Sequence, residues 1–198
     1  MKSTHRFILC LQLLLSSLVV AGEAVAVGFE WKRTPPPGLK VGDLVFRKGA
    51  GLWTRHFINA STREKRFSHV GIVVRTTPSA VILHADGNDM TGVGNVRTED
   101  WPGFFEIASE CAIYRYAGSE ETARAFAGQG LRRLGVPFDP AFDMSSTNAL
   151  YCTELIREVV NEAAGTNVIE HTVLCGYPII AIDDIYHRGF VKVFDSKP

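Results

Sequence analysis

The sequence has no excess of charge of either sign. It contains 21 Lys and Arg against 21 Asp and Glu, which gives a formal net charge of zero at pH 7. Proteins that bind nucleic acid normally present a basic stripe to the phosphate backbone, so we predict no nucleic-acid partner. Repeats and low-complexity blocks are also missing. A chain of 198 residues, 46% of them hydrophobic, suits one domain with a full core.

The motifs of several common enzyme classes are missing as well. The sequence has no Gly-x-Ser-x-Gly nucleophile elbow, no glycine-rich phosphate loop and no dinucleotide-binding fingerprint. These absences argue against an α/β-hydrolase with a catalytic serine and against nucleotide-dependent chemistry.

Long apolar runs are missing except close to the N-terminus. There, Lys2 and Arg6 precede an apolar run, and Ala24–Ala26 supplies a small-x-small cleavage site. The apolar run is short for the roughly 20 residues that a membrane span needs. We therefore predict a signal peptide over residues 1–26, export to the periplasm or the medium, and no stable membrane span after cleavage. A proline-rich linker at 27–37 and one domain at 38–198 are expected to follow.

Cysteines are few. Outside the predicted signal peptide only Cys111, Cys152 and Cys175 remain. An odd number in an exported protein suggests one free thiol beside one disulfide. A pair of Cys111 and Cys175 would leave Cys152 free, although the sequence alone does not establish the connectivity.

Hydrophobic patterns predict an α+β domain in which two main helices pack against an antiparallel sheet. Strands and helices are expected at Leu44–Phe46, Val70–Val74, Ala80–His84, Cys111–Tyr116, Ser119 to about Leu134, and Cys152 to near Gly165.

The connection at residues 47–67 is long for a compact domain, which is typical of a binding loop or lid. It alternates basic and aromatic residues. The arginines suit substrate carboxylates, and the aromatic side chains suit an acyl chain. The residues concerned are Arg47, Arg55, Arg63, Trp53 and Phe57.

Cys152 is the first candidate for chemistry. It opens a helix, where partial positive charge favours a thiolate. His69 begins the strand of the run Ser68–Val74, where it is held rigidly enough to exchange a proton. Together they predict a cysteine nucleophile with its base, which is an arrangement for acyl transfer.

A catalytic imidazole needs a third group that fixes its orientation. His84 ends the neighbouring strand and lies beside His69 if the two strands form a hairpin. Asp86 is the rival for this role. A zinc site built from His69, His84 and Asp86 is a further option, but it lacks the tight ligand spacing of specific metal motifs.

Two strand motifs resemble those of NlpC-type cysteine peptidases: Gly42–Phe46 (GDLVF) and Ser68–Val73 (SHVGIV). In ordinary members the cysteine helix precedes both motifs. Here Tyr151–Leu155 (YCTEL) follows them, which is the circularly permuted order. The chain is therefore similar to permuted papain-like amidases of the YiiX/YaeF type. Gly135–Asp139 (GVPFD) is similar to a sequence motif that recurs in that group.

The resemblance covers residues 38–194 and implies a papain-like fold with a Cys–His–polar triad. Cys152 matches the nucleophile and His69 the base. His84 matches the third position, which is often a glutamate in the YiiX branch. The resemblance also implies that backbone N–H groups near Cys152 meet the oxyanion.

Substrate contacts are predicted for Tyr151, which matches an aromatic residue that shapes the pocket, and for Asp43, Ser68 and Trp53. The expected activity is that of an exported cysteine amidase without a cofactor. A peptidoglycan stem peptide is the leading substrate. The alternatives are a lipid-directed amidase or acyltransferase acting on an N-acyl lipid, and a non-catalytic binding module.

Overall fold

The computed structural model describes residues 31–51, 53–146 and 148–197. The predicted signal peptide and the first part of the predicted linker, residues 27–30, lie outside this range. Within it, no helix combines the length and the apolar character needed to cross a membrane.

Eight strands and five helices make up the described chain. The strands are β1 Leu44–Lys48, β2 His69–Arg75, β3 Val81–Gly87, β4 Gly94–Asp100, β5 Glu110–Tyr116, β6 Thr172–Leu174, β7 Tyr177–Ile179 and β8 Phe190–Asp195. The helices are α1 Thr54–Ala60, α2 Trp101–Phe105, α3 Glu120–Leu131, α4 Cys152–Ala164 and α5 Ile182–Tyr186.

Six of the strands form one antiparallel sheet in the order β4-β3-β2-β1-β5-β8, and β6 pairs with β7 in a separate hairpin. The predicted hairpin of β2 and β3 is present, with Ile72 opposite Leu83. The α+β prediction is confirmed.

Both faces of the sheet are covered. Because side chains alternate along a strand, Leu44 and Phe46 of β1 join the core beneath α3 and α4, while Val45 joins the core on the side of α2. Burial on both faces explains the uninterrupted apolar runs Leu44–Phe46 in β1 and Val70–Val74 in β2.

The predicted helices are present, and all but one of their termini are those expected. Ser119 caps α3 by accepting a hydrogen bond from the Thr122 N–H at 3.0 Å. Gly165 ends α4 in the left-handed conformation, with φ of 66°. Helix α3 stops at Leu131 rather than near Leu134, because i→i−3 hydrogen bonds tighten the turn that follows it.

Several elements were not predicted. Helix α1 lies inside the connection that was expected to be a loop, and β4 and α2 fall in a stretch without a prediction. The short elements β6, β7, α5 and β8 follow α4, where no helix or strand was predicted. In β4 only Val96 is buried. An edge strand with so few apolar residues gives a weak alternation signal.

The suggested disulfide is wrong. Cys111, Cys152 and Cys175 are all free. Cys111 is buried in β5, whereas Cys175 is exposed in the turn between β6 and β7. None of these three cysteines is therefore paired with another.

Candidate active site

Cys152 and His69 line one cavity of about 310 Å³. Cys152 is the first residue of α4, and His69 is the first residue of β2. Helix α4 packs across β2, with Val70 and Leu155 in the same core. The packing of one helix on one strand thus brings together two residues that are far apart in the sequence.

Burial dominates the acidity of Cys152, whose side chain has almost no exposed surface. It raises the pKa of the thiol to about 12, and hydrogen bonds from the backbone N–H groups of Val70 and Thr153 only partly offset it. Desolvation of the sulfur thus opposes the helix N-terminus, which was expected to favour a thiolate at Cys152.

His69 is neutral for the same physical reason. Its ring keeps some exposure to the cavity, but surrounding protein atoms desolvate it, and this burial is the main cause that lowers its pKa well below 6.5. The positive charge of Arg47 lowers the pKa further. At neutral pH the site thus combines a thiol with an uncharged imidazole, which is able to accept a proton.

His69 ends a chain of three polar side chains. Its Nε2 lies 2.8 Å from His84 Nδ1. On the far side of this second ring, His84 Nε2 lies 3.2 Å from Glu99 Oε2, at ion-pair distance but off the axis of a straight hydrogen bond.

Glu99 determines the direction of these contacts. Contact with His84 lowers the pKa of Glu99, so the side chain is a carboxylate at neutral pH. The negative charge of the carboxylate favours a proton on Nε2, the His84 nitrogen that faces it, so His84 accepts at Nδ1. His69 then donates from Nε2, and its Nδ1 is left to accept a proton.

Asp86, the rival of His84, lines the cavity but is bound elsewhere. Its Oδ2 accepts a hydrogen bond from Arg97 Nη2 at 2.9 Å, and the pKa of Asp86 is lowered to about 2 although burial opposes the shift. In the described part of the chain no hydrogen bond joins Asp86 to His69. The potential ligand atoms of His69, His84 and Asp86 nevertheless lie within 4.8 Å of one another.

Two of the four predicted substrate contacts line the cavity. Ser68 does so while its Oγ accepts a hydrogen bond from the Gly49 N–H at 3.0 Å. Trp53 is 37% exposed at the cavity, and its Nε1 donates to the Asp89 carbonyl at 3.2 Å.

The other two contacts require correction. Asp43 is buried away from the cavity, where its carboxylate binds Arg115 Nε at 2.8 Å and Nη2 at 2.7 Å. Tyr151 is also buried, and its hydroxyl accepts from the Ile180 N–H at 3.1 Å. Its ring packs 5.5 Å from that of Phe142, which in turn contacts Trp53. Tyr151 therefore supports the aromatic wall from behind.

Glu99 is the site residue that sequence reasoning missed. It lies in β4, which was not predicted, and pairs opposite Ile82 of β3. The one available signal was the alternation of Arg97 and Glu99 along an otherwise polar stretch, and this pattern is also typical of a solvent-exposed strand.

Comparison with known protein families identifies the chain. Residues 38–179 match the model of the permuted papain-like amidase enzyme, YaeF/YiiX, C92 family. The chain belongs to this family. As a permuted papain-like amidase it is a cysteine hydrolase, and the predicted enzyme class and family are confirmed.

The crystal structure of the metalloprotein YiiX from Escherichia coli O157:H7 resembles this amidase. The two chains share 19% sequence identity and a TM-score of 0.66, over 80% of this chain and 98% of that one. At this identity the likeness shows a shared fold. No curated protein matches the chain.

Proposed function

We propose that this amidase is exported and hydrolyses a peptide amide of cell-wall peptidoglycan, with Cys152 as nucleophile and His69 as base. The observation that carries the proposal is the arrangement of Glu99, His84 and His69. It occupies Nε2 of His69 and so leaves Nδ1 to accept a proton, in a residue that lines the same cavity as Cys152.

In the acylation step, Cys152 Sγ attacks the amide carbonyl while its proton passes to His69 Nδ1. A carbon–sulfur bond forms, and the carbonyl electrons move onto oxygen. Because the resting pair is neutral, proton transfer accompanies the attack rather than preceding it. His84 stabilises the imidazolium that forms by accepting the hydrogen bond from its far side, and the negative charge of Glu99 stabilises His84 in that orientation.

The oxyanion requires donors that are already in place. The N–H groups at the start of α4 have no intrahelical partner, and the Val70 and Thr153 N–H groups bind the sulfur in the resting state. Donors fixed in a water-poor site stabilise developing charge strongly. His69 then protonates the amine as the carbon–nitrogen bond breaks, and water attacks the thioester to release the acid and restore the thiol.

A wall peptide is proposed because the expected signal peptide would bring the enzyme to peptidoglycan and because the cavity offers a cation, Arg47, to an acidic peptide. The competing substrate is an N-acyl lipid, which the aromatic side chains of Trp53, Phe57 and Phe138 would suit.

Direct turnover assays separate these substrates. Purified protein is incubated with stem peptides and with N-acyl lipids, and the products are weighed by mass spectrometry. We expect release from stem peptides and a nearly unchanged rate in Trp53→Ala. Turnover of the lipid alone, lost selectively in Trp53→Ala, would contradict the proposal.

A metal-binding role is a second candidate, since YiiX is described as a metalloprotein. Two neutral imidazoles and an ionised carboxylate fit the donors that zinc prefers. His69, His84 and Asp86 would hold the ion, which when bound would supply Lewis-acid chemistry. An imidazole that binds metal through Nε2 keeps its proton on Nδ1, so His69 would then be unable to accept the thiol proton.

Zinc and a chelator distinguish the two candidates. A cysteine amidase should be inhibited by added zinc and retain full activity in EDTA. Loss of activity in EDTA with recovery on adding zinc would instead support metal-dependent hydrolysis.

A further inference from the structure

Arg47 is a buried cation directly beside the proposed base. Strand pairing sets it opposite His69 in adjacent strands, so the two side chains lie on the same face of the sheet. Arg47 is only 7% exposed, and the surface that it retains belongs to the cavity that also contains Cys152.

The guanidinium of Arg47 is incompletely satisfied. Nη1 donates to the Phe104 carbonyl, and the group lies 4.7 Å from the centre of the Phe104 ring. Nε is buried and has no hydrogen-bond partner in the described part of the chain.

No carboxylate of the described residues forms an ion pair with Arg47. Asp86 and Glu99, the two acids whose charges raise the pKa of Arg47, pair with Arg97 at 2.9 and 3.3 Å. Burial accordingly lowers the pKa of Arg47, and the more distant charges of the two acids offset this only in part. An unpaired buried cation is costly, and an anion that enters the cavity would relieve that cost.

The chemistry of the guanidinium indicates which anion fits. Because Nε has almost no accessible surface, an anion in the cavity would meet the part of the group that lines the cavity. A guanidinium favours a planar carboxylate as its hydrogen-bond acceptor. We propose that Arg47 binds a carboxylate of the substrate and so selects amides that carry a free carboxylate close to the scissile bond. This inference rests on the proposed function, and it assigns to Arg47 alone a role that the sequence spread over three arginines.

The other two arginines lie elsewhere. Arg55 is exposed on α1 and does not line the cavity, and Arg63 pairs with Asp184 at 3.1 Å near a separate surface depression. Arg55 therefore serves as a matched control, since it belongs to the same basic segment and lacks contact with the site.

The test compares two alkylating agents that differ only in charge. Iodoacetate carries a carboxylate, and iodoacetamide carries the corresponding amide. The ratio of their rates at Cys152 is measured at pH 8.5 by peptide mass mapping and divided by the same ratio at the exposed Cys175 of the same sample. Any general change in the reactivity of Cys152 cancels in this ratio.

We expect Arg47→Met to lower the normalised ratio by about tenfold or more, as loss of a buried charge pair predicts. Arg55→Met should leave it unchanged. An unchanged ratio in Arg47→Met would overturn the inference and leave Arg47 acting only through its field on His69. The labelling needs no turnover, so it gives an answer even if stem peptides prove not to be substrates.

A second measurement uses the wild-type protein and does not depend on the folding of a variant. N-acetylalanine and N-decanoylalanine are tested as protectants of Cys152 against iodoacetamide, each beside its carboxamide. Protection by the acids and not by the amides supports the carboxylate site, and the better of the two acids indicates whether a peptide or a lipid supplies it. Equal protection by acid and amide would contradict the inference.

Discussion

Cys111 and Cys152 are both buried thiols, and burial raises the pKa of each. Their surroundings differ in the features that a catalytic thiol requires. Cys111 is the second residue of β5 and lies within the apolar core that also contains Val45 and Ile113. Cys152 begins a helix, lines a cavity and receives backbone N–H groups at its sulfur. Burial alone therefore does not distinguish a packing cysteine from a reactive one. A reactive cysteine is distinguished by access to a cavity, by hydrogen-bond donors at its sulfur and by a neighbouring base.

The largest expected difference between the two thiols is in turnover. Cys152→Ala should lower kcat by several orders of magnitude while the protein stays folded, because removal of a covalent nucleophile leaves only binding and oxyanion stabilisation. Cys111→Ala should keep near wild-type activity and lose about 1 kcal/mol of stability through a small core cavity. Turnover assays and thermal unfolding of both variants check this. Wild-type turnover by folded Cys152→Ala would refute the assignment.

The histidine pair gives the next largest effect. His84→Ala should lower kcat by about 100-fold or more, because His69 loses the group that fixes its tautomer and orientation. Glu99→Gln should lower it less, and Asp86→Asn least. Steady-state kinetics of the three variants gives the ranking. A larger loss in Asp86→Asn than in His84→Ala would transfer the orienting role to Asp86.

The pH profile tests the neutral pair. His69 accepts a proton only when uncharged, and its pKa lies below 6.5. We therefore expect kcat/KM to be constant at pH 6.5 and above, and to fall only as the pH drops through the lowered pKa of the free enzyme. An acidic limb centred above pH 6.5 would show that His69 is stabilised as an imidazolium in the resting state.

The smallest expected effect concerns thiol reactivity at pH 6. With its pKa near 12, Cys152 should react with iodoacetamide more slowly than the exposed Cys175, and Cys111, which does not line the cavity, should be slowest. Mass mapping of a timed reaction gives the three rates. Faster labelling of Cys152 than of Cys175 would indicate a resting thiolate.

Much of the fold was predictable from local patterns. Apolar runs buried on both faces predicted β1 and β2, and the cap residue Ser119 and the terminal Gly165 marked helix boundaries. These signals lie within a few residues of the feature they specify. The polar edge strand β4 lacked such a signal, since its position depends on pairing with β3 rather than on its own apolar residues.

The site was predictable only in part for a related reason. Cys152, His69 and His84 stand out because of residue type and their place at the ends of elements. The pairing of Glu99 with His84, the separation of Asp43 from the cavity and the raised pKa of Cys152 depend on tertiary contacts and burial. The position of Cys152 in the sequence shows that a helix N-terminus favours its thiolate. It does not show how strongly burial disfavours that thiolate.

The central claim is that Cys152 forms the covalent intermediate of this amidase, and acid quenching during turnover tests it most directly. Wild-type protein is mixed with stem peptide or N-acyl lipid, quenched within the first turnovers and mapped by mass spectrometry. The account predicts an acyl adduct on the peptide that contains Cys152, with none on Cys111 or Cys175. Product formation without any adduct on Cys152, together with loss of activity in EDTA, would contradict it.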